Sequence, residues 1–248
     1  MPEHVDVRVY AELNDFLPRE SRGLTLRRPF RPHQTVKDVL EATGIPHTEV
    51  DLIVVNGAAK DFSHRPAPGD RIAAYPMFET LDIGSTARLR PVPLRDTRFA
   101  VDVNLGRLAR LLRLLGFDVW WSADADDETL VDISLAQRRI VLTRDRGLLK
   151  RRIITHGLFV HSDDPEAQTL EVIRRLDLSE SLAPFTRCMR CNGELVKVRK
   201  DEVIDRLQPL TRRYYSDFVR CADCSQIYWP GSHHEKLLNL VERLREQL

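Results

Sequence analysis

From residue 97 to about residue 176 the chain alternates short apolar runs with helix-length segments, and few folds accommodate that alternation. FAVDV precedes LGRLARLLRLLG, FDVWWS precedes ETLVDISLAQRR, RIVLTR precedes GLLKRRIITH, and GLFVHS precedes PEAQTLEVIRRLD. Strands alternating with helices are joined by right-handed crossovers into a mainly parallel sheet with helices on its faces, so the expected class is a three-layer α/β domain. Three acids follow such runs, Asp102, Asp145 and Asp163, and a fourth, Asp127, opens the helical segment DDETLVDISLAQRR. In a parallel sheet these carboxylates are expected to gather at one edge, outside the strand ends. Each acid alone also has a structural explanation, because Asp is common at helix N-caps and in turns; Asp124, Asp126 and Asp164 compete with their neighbours on that ground.

Gathered carboxylates have a definite chemistry. They are hard oxygen ligands that hold Mg²⁺ or Mn²⁺ while leaving waters on the ion, and a bound ion can activate water against a phosphodiester. Asp102 is expected as the central ligand, Asp145 as its partner in the first metal site, and Asp127 and Asp163 as supports or ligands of a second ion. Asn104, Thr143 and Arg144 are candidate hydrogen-bond partners for metal waters or phosphate. In LGRLARLLRLLG the leucines at 105, 108, 111, 112 and 115 form an apolar stripe, while Arg107, Arg110 and Arg113 recur every third residue on another face. These three, with Arg144 and Arg146 beside Asp145, are the expected RNA contacts; a solvated arginine face over a leucine core is the plainer alternative.

Charge places any polyanion partner in the later two thirds. The whole chain is formally +1, so no global field recruits nucleic acid. Residues 1–85 carry 10 basic and 13 acidic side chains, residues 86–187 carry 17 and 15, and residues 188–248 carry 11 and 9. No apolar stretch has the length of a signal peptide core or a membrane span, so a cytoplasmic protein is expected.

All four cysteines lie after residue 187, as Cys188-x-x-Cys191 and Cys221-x-x-Cys224. Two such pairs in a reducing compartment suit a tetrahedral Zn²⁺ site of four thiolates, closed to substrate and therefore structural. Between the pairs, Arg199, Lys200, Arg206, Arg212, Arg213 and Arg220 mix with Tyr214, Tyr215 and Phe218, as in ribbons that contact RNA; a solvated face with the aromatics packed beneath is the plainer alternative. His233 and His234, near enough in sequence to replace a cysteine ligand, read instead as surface residues opening the final helix.

Ahead of these segments, VDVRVY alternates like a strand, TVKDVLEATG reads as a helix from Thr35 to a stop at Gly44, and Asn56-Gly57 marks a hairpin before the strand of PGDRIAAYPMF. LIVVNG and GDRIAAYP resemble the ubiquitin-like β-grasp domains related to the ThiS and MoaD sulfur carriers. Those carriers act through a terminal Gly-Gly, which LDIGSTARLRPVP lacks, so a docking module for protein or RNA is the expected role. Pro91 and Pro93 mark a stiff linker. The expected organisation is a β-grasp domain at 1–85, a linker at 86–96, an α/β domain at 97–183, and a zinc ribbon with a C-terminal helix at 184–248.

DVNLGRLARLLRLLGFDVWW, ADADDETLVDISLAQRRIVLTRDRGLL and the four cysteines closely resemble the Mut-seven-type C-terminal RNase domain, a branch of the PIN-like nuclease superfamily with an appended zinc ribbon. Bacterial members of that family also carry an N-terminal ubiquitin-like domain. The resemblance implies a PIN-like fold, Mg²⁺- or Mn²⁺-dependent cleavage of single-stranded or structured RNA, and metal-ligand roles for Asp102, Asp127 and Asp145; Asp163 rests on its position alone. Two other functions compete: a non-catalytic RNA- or ribosome-associated adaptor, favoured if the fourth acid is missing, and a VapC-type toxin nuclease, which usually lacks both flanking domains.

Overall fold

The computed structural model describes residues 4–76 and 97–248; the expected linker at 86–96, with Pro91 and Pro93, lies outside the described residues. The chain divides into two compact units, Met1–Arg95 with Thr143–Phe159, and Asp96–Leu142 with Val160–Leu248.

The first unit opens with β1 (His4–Val9), β2 (Leu26–Pro29), α1 (Val36–Thr43), β3 (Leu52–Val55), β4 (Ala58–Lys60) and β5 (Arg71–Tyr75). The strands form a mixed sheet in the order β2-β1-β5-β3-β4, with β1 parallel to β5. Alternation along β1 buries Val5, Val7 and Val9 against Val39 and Leu40 of α1 and Ile53 and Ile72 of the sheet. The boundaries of α1 follow local chemistry. The Thr35 hydroxyl accepts from the Asp38 amide, the Asp38 carboxylate accepts from the Thr35 amide, and Gly44 ends the helix at φ +106°. Asn56 and Gly57, both at positive φ, make the two-residue turn between β3 and β4.

The second unit begins with β6 (Arg98–Val101), a 3₁₀ turn (Val103–Leu105), α2 (Gly106–Leu114), β7 (Asp118–Trp120), α3 (Asp127–Gln137) and β8 (Ile140–Thr143). β6 lies between β7 and β8 and runs parallel to both, with Ala100 opposite Trp120 and Val141. Phe99, Ala100 and Val101 are buried, as befits a strand covered on both faces. Next in the chain, α4 (Arg146–Leu149) and β9 (Gly157–Phe159) belong to the first unit, and α5 (Pro165–Arg175), again in the second, packs against α2. The chain ends in β10 (Leu195–Val198), α6 (Pro209–Tyr214), β11 (Phe218–Cys221), β12 (Ile227–Tyr228) and α7 (Ser232–Glu246). β10, β11 and β12 form a small antiparallel sheet over Val203, Leu207, Phe218 and Ile227. Among the described residues no helix is long and apolar enough to cross a membrane.

The helix expected across GLLKRRIITH stops at Leu149. Ile153, Ile154 and Thr155 are successive β-branched residues with weak helix propensity, and the Ile154 carbonyl instead meets His47 Nε2 at 2.9 Å. This contact belongs to a larger one: residues 143–159 pack with the N-terminal sheet. Lys150 Nζ donates to the Glu41 carbonyl at 2.8 Å, Glu49 accepts from the Phe159 amide, and Phe159 packs edge-on against Phe16.

Candidate functional site

Asp102 directly follows β6, and its amide donates to the Leu142 carbonyl of β8 at 3.0 Å. Asp145 comes three residues after Leu142, so both acids follow the C-terminal ends of neighbouring parallel strands. Each also has a local structural task. Asp102 Oδ1 caps the 3₁₀ turn by accepting from the Asn104 amide at 3.0 Å and the Asn104 side chain at 3.3 Å. Asp145 Oδ1 caps α4, accepting from the amides of Gly147 at 2.6 Å and Leu148 at 3.3 Å. Thr143, fully buried, orients this turn through its hydroxyl, which accepts from the Asp145 amide at 2.9 Å.

The competition among neighbouring acids resolves in the same way at two helices. Asp126 is the N-cap of α3, accepting from Thr129 at 2.8 Å, and Asp127 is the exposed first helical residue. Asp164 caps α5 through the Ala167 amide at 2.9 Å, while exposed Asp163 lines a cleft. That cleft, about 350 Å³, is bounded by Asn104, Arg107, Arg110, Trp121, Asp163 and Gln168. Its geometry depends on Gly106. A Cβ there would stand 2.6 Å from the Trp121 ring, whose indole N–H donates to the Val103 carbonyl at 3.2 Å. The cleft therefore joins an acid, two exposed guanidiniums and the Asn104 that touches Asp102. Sequence patterns did not single out Trp121 or Gln168, because neither belongs to a spacing with chemical meaning.

Two of the five arginines expected to contact RNA are otherwise committed. Arg113 is 3% exposed. Its guanidinium donates to the Val119 carbonyl at 3.1 and 2.9 Å and to the Arg190 carbonyl at 3.0 Å. The correction has a helical cause: each three-residue step rotates a side chain by about 60°, so Arg113 lies about 120° around the axis from Arg107. Arg146 donates to the Phe16 carbonyl at 3.2 Å, and its guanidinium stacks over Phe16 and Phe159 at 5.2 and 5.3 Å. Arg107, Arg110 and Arg144 are exposed, as is Arg146 despite these contacts.

The four cysteine sulfurs lie within 4.8 Å of one another, and among the described residues they are the one group of three or more potential ligands so placed. The four aspartates are not drawn into such a group. Cys188 and Cys224 sulfurs are 3.7 Å apart and those of Cys191 and Cys221 3.4 Å, close to the roughly 3.8 Å that a tetrahedral site with Zn–S bonds of about 2.3 Å requires. Both knuckles turn through a left-handed residue after the second cysteine, Asn192 at φ +74° and Ser225 at φ +58°. Burial raises the thiols of Cys191, Cys221 and Cys224. At Cys188 burial also acts upward, but the Tyr228 hydroxyl at 3.1 Å and the amides of Cys191 and Arg190 outweigh it and bring the thiol down to about 7.

The first knuckle is tied to the parallel sheet. Asn192 Oδ1 accepts from the Val119 amide at 2.8 Å, and Asn192 Nδ2 donates to Asp118 at 2.9 Å. Asp118 also accepts from Arg139 at 2.7 Å. Neither Asp118 nor Asn192 carries a recognisable motif, so only the folded structure reveals this junction.

Residues 97–241, more than half of the chain, match the model of the family described as Mut7-C RNAse domain, and residues 2–82 match that of Mut7-C ubiquitin. No curated protein and no solved structure matches the chain.

Proposed function

The chain belongs to the Mut7-C RNAse domain family, with an N-terminal Mut7-C ubiquitin domain, and from that membership we propose a divalent-metal-dependent ribonuclease with a PIN-like catalytic domain. The observation that carries the reading is the cleft where Asp163 meets Arg107 and Arg110 beside Asn104 and the strand-end Asp102. Guanidiniums hold phosphate oxygens, and carboxylates at parallel strand ends suit a hard cation. Mg²⁺ keeps several of its waters and commonly takes only one or two carboxylates directly, so a site of this class does not require tightly clustered acids. Asp102 and Asp145 are assigned as direct ligands, with Asp127 and Asp163 holding metal waters or a second ion. When bound, the ion would supply activated water and offset charge on the phosphate. Arg107 and Arg110 hold the RNA backbone, with Arg144 as a further contact. The four thiolates are assigned to structural Zn²⁺.

The test is Mn²⁺-stimulated cleavage of single-stranded RNA by Asp102→Asn and Asp145→Asn proteins. Asparagine is as good a cap as aspartate, so both variants should melt close to the parent while losing cleavage. Parental rates in both would remove the assignment. Titration of Mn²⁺ by calorimetry separates an enzyme from an adaptor that has lost metal affinity, since only the former takes up the ion.

A further inference from the structure

A second concavity in the second unit shares no lining residue with the cleft of the proposed cleavage site. It is a groove of about 910 Å³ walled by the cysteine ribbon, α6 and the start of α7. Phe185, Tyr214, Tyr215, Tyr228, Trp229 and His234 are among its lining residues. Tyr214 is 66% exposed and Trp229 36%, an unusual display of large rings on a polar ribbon. The Arg213 guanidinium stands 5.4 Å over the Tyr214 ring, and Lys197 lines the groove. Asp217, its one lining carboxylate among the described residues, accepts from the Ser216 hydroxyl at 2.9 Å. Residues 186–231 hold nine basic and six acidic side chains.

We propose that this groove is a second RNA subsite, which captures single-stranded RNA by stacking unpaired bases on Tyr214 and Trp229 while Arg213 and Lys197 hold the adjoining phosphates. The inference rests on the reading of the chain as an enzyme that acts on RNA. Charge selects the occupant. An apolar protein segment would be satisfied by the rings alone, whereas cations beside ring faces match a ligand with π-faces spaced along a polyanion. A duplex fits poorly, because its bases are stacked within the helix and cannot present their faces to the rings. The subsite would raise the residence time of unpaired substrate without touching the reacting bond.

The experiment is fluorescence anisotropy with a labelled decauridylate, using the full chain on the Asp102→Asn background so that binding is read without cleavage. Tyr214→Ala and Trp229→Ala should each weaken binding by roughly 5- to 100-fold, the range for losing one aromatic–base stack, while Tyr214→Phe and Trp229→Phe should stay near the parent. Arg213→Ala should lower the salt slope by about 0.7. An abasic oligonucleotide of the same length should bind weakly and ignore Tyr214→Ala. Unchanged zinc content and melting temperature in the alanine variants guard against misfolding. Parental affinity in both alanine variants overturns the proposal, as does equal affinity for duplex and single-stranded RNA. If the parent fails to cleave with Mn²⁺ while the binding differences appear as stated, the nuclease reading falls and the subsite stands.

Discussion

Replacing Arg113 with Met tests whether the cysteine ribbon and the parallel sheet share their stability. Met keeps most of the apolar stem but removes the guanidinium fork. The Val119 and Arg190 carbonyls then lose charge-assisted donors at 2.9–3.1 Å, and the Met189 carbonyl loses a longer contact at 3.4 Å. Depriving a buried acceptor of its partner costs about 1–3 kcal/mol. With two well-made acceptors affected and some packing retained, the expected loss is about 3–5 kcal/mol. For a unit of this size that corresponds to a melting temperature lower by roughly 10 °C. The Met189 and Arg190 carbonyls belong to the loop between Cys188 and Cys191, so zinc affinity should fall about 10- to 100-fold, as when a group supporting metal ligands is removed. Circular dichroism melting and competition with a colorimetric zinc chelator read the two effects, with Cys188→Ser as the reference for a broken site. RNA affinity at fixed fold and its salt slope should not respond to Arg113→Met, in contrast to Arg107→Ala. A variant that melts within 2 °C of the parent and holds zinc equally well would refute the coupling.

Arg146→Ala should loosen residues 143–159 from the N-terminal sheet by about 1–2 kcal/mol, through loss of the Phe16 carbonyl contact and two cation–π pairs. Faster tryptic cleavage at Arg151 and Arg152, with parental cleavage elsewhere, is the expected readout. Acid should act partly through Asp118. Burial raises its carboxyl, but the hydrogen bonds from Arg139 and Asn192 outweigh this and leave it below its ordinary value of 3.8. The native state then binds that proton less readily than the unfolded chain. Its stabilisation is present above pH 3.8 and disappears as pH falls through the lowered value. Denaturant midpoints between pH 5 and 3 should fall less steeply in Asp118→Asn than in the parent; identical slopes would exclude this carboxylate.

The ubiquitin-like domain has a structural role in the first unit that a detachable docking module would lack. His47 bridges the Glu41 carboxylate at 2.7 Å and the Ile154 carbonyl, while Arg146 is held between Phe16 and Phe159. These contacts restrain the segment that contains Asp145. Removing the N-terminal sheet would expose Phe159 and leave Arg146 and Lys150 without these partners.

Local sequence chemistry determined much of this protein by itself. The Thr35–Asp38 capping box, the stop at Gly44, the Asn56-Gly57 turn, the alternation of β6 to α5 and the paired cysteines all act over a few residues or through a simple period, so each is visible along the chain. Tertiary structure decided which residues are available for function. Asp126 and Asp164, rather than their neighbours Asp127 and Asp163, took the capping duties, a choice of side-chain geometry that composition cannot distinguish. Arg113 was drawn into the cysteine knuckle and Arg146 onto Phe16 and Phe159, across separations of 77 and 130 residues. Such contacts repeat no pattern along the chain. They arise because buried carbonyls and ring faces need partners, and only the assembled fold determines which guanidinium is within reach.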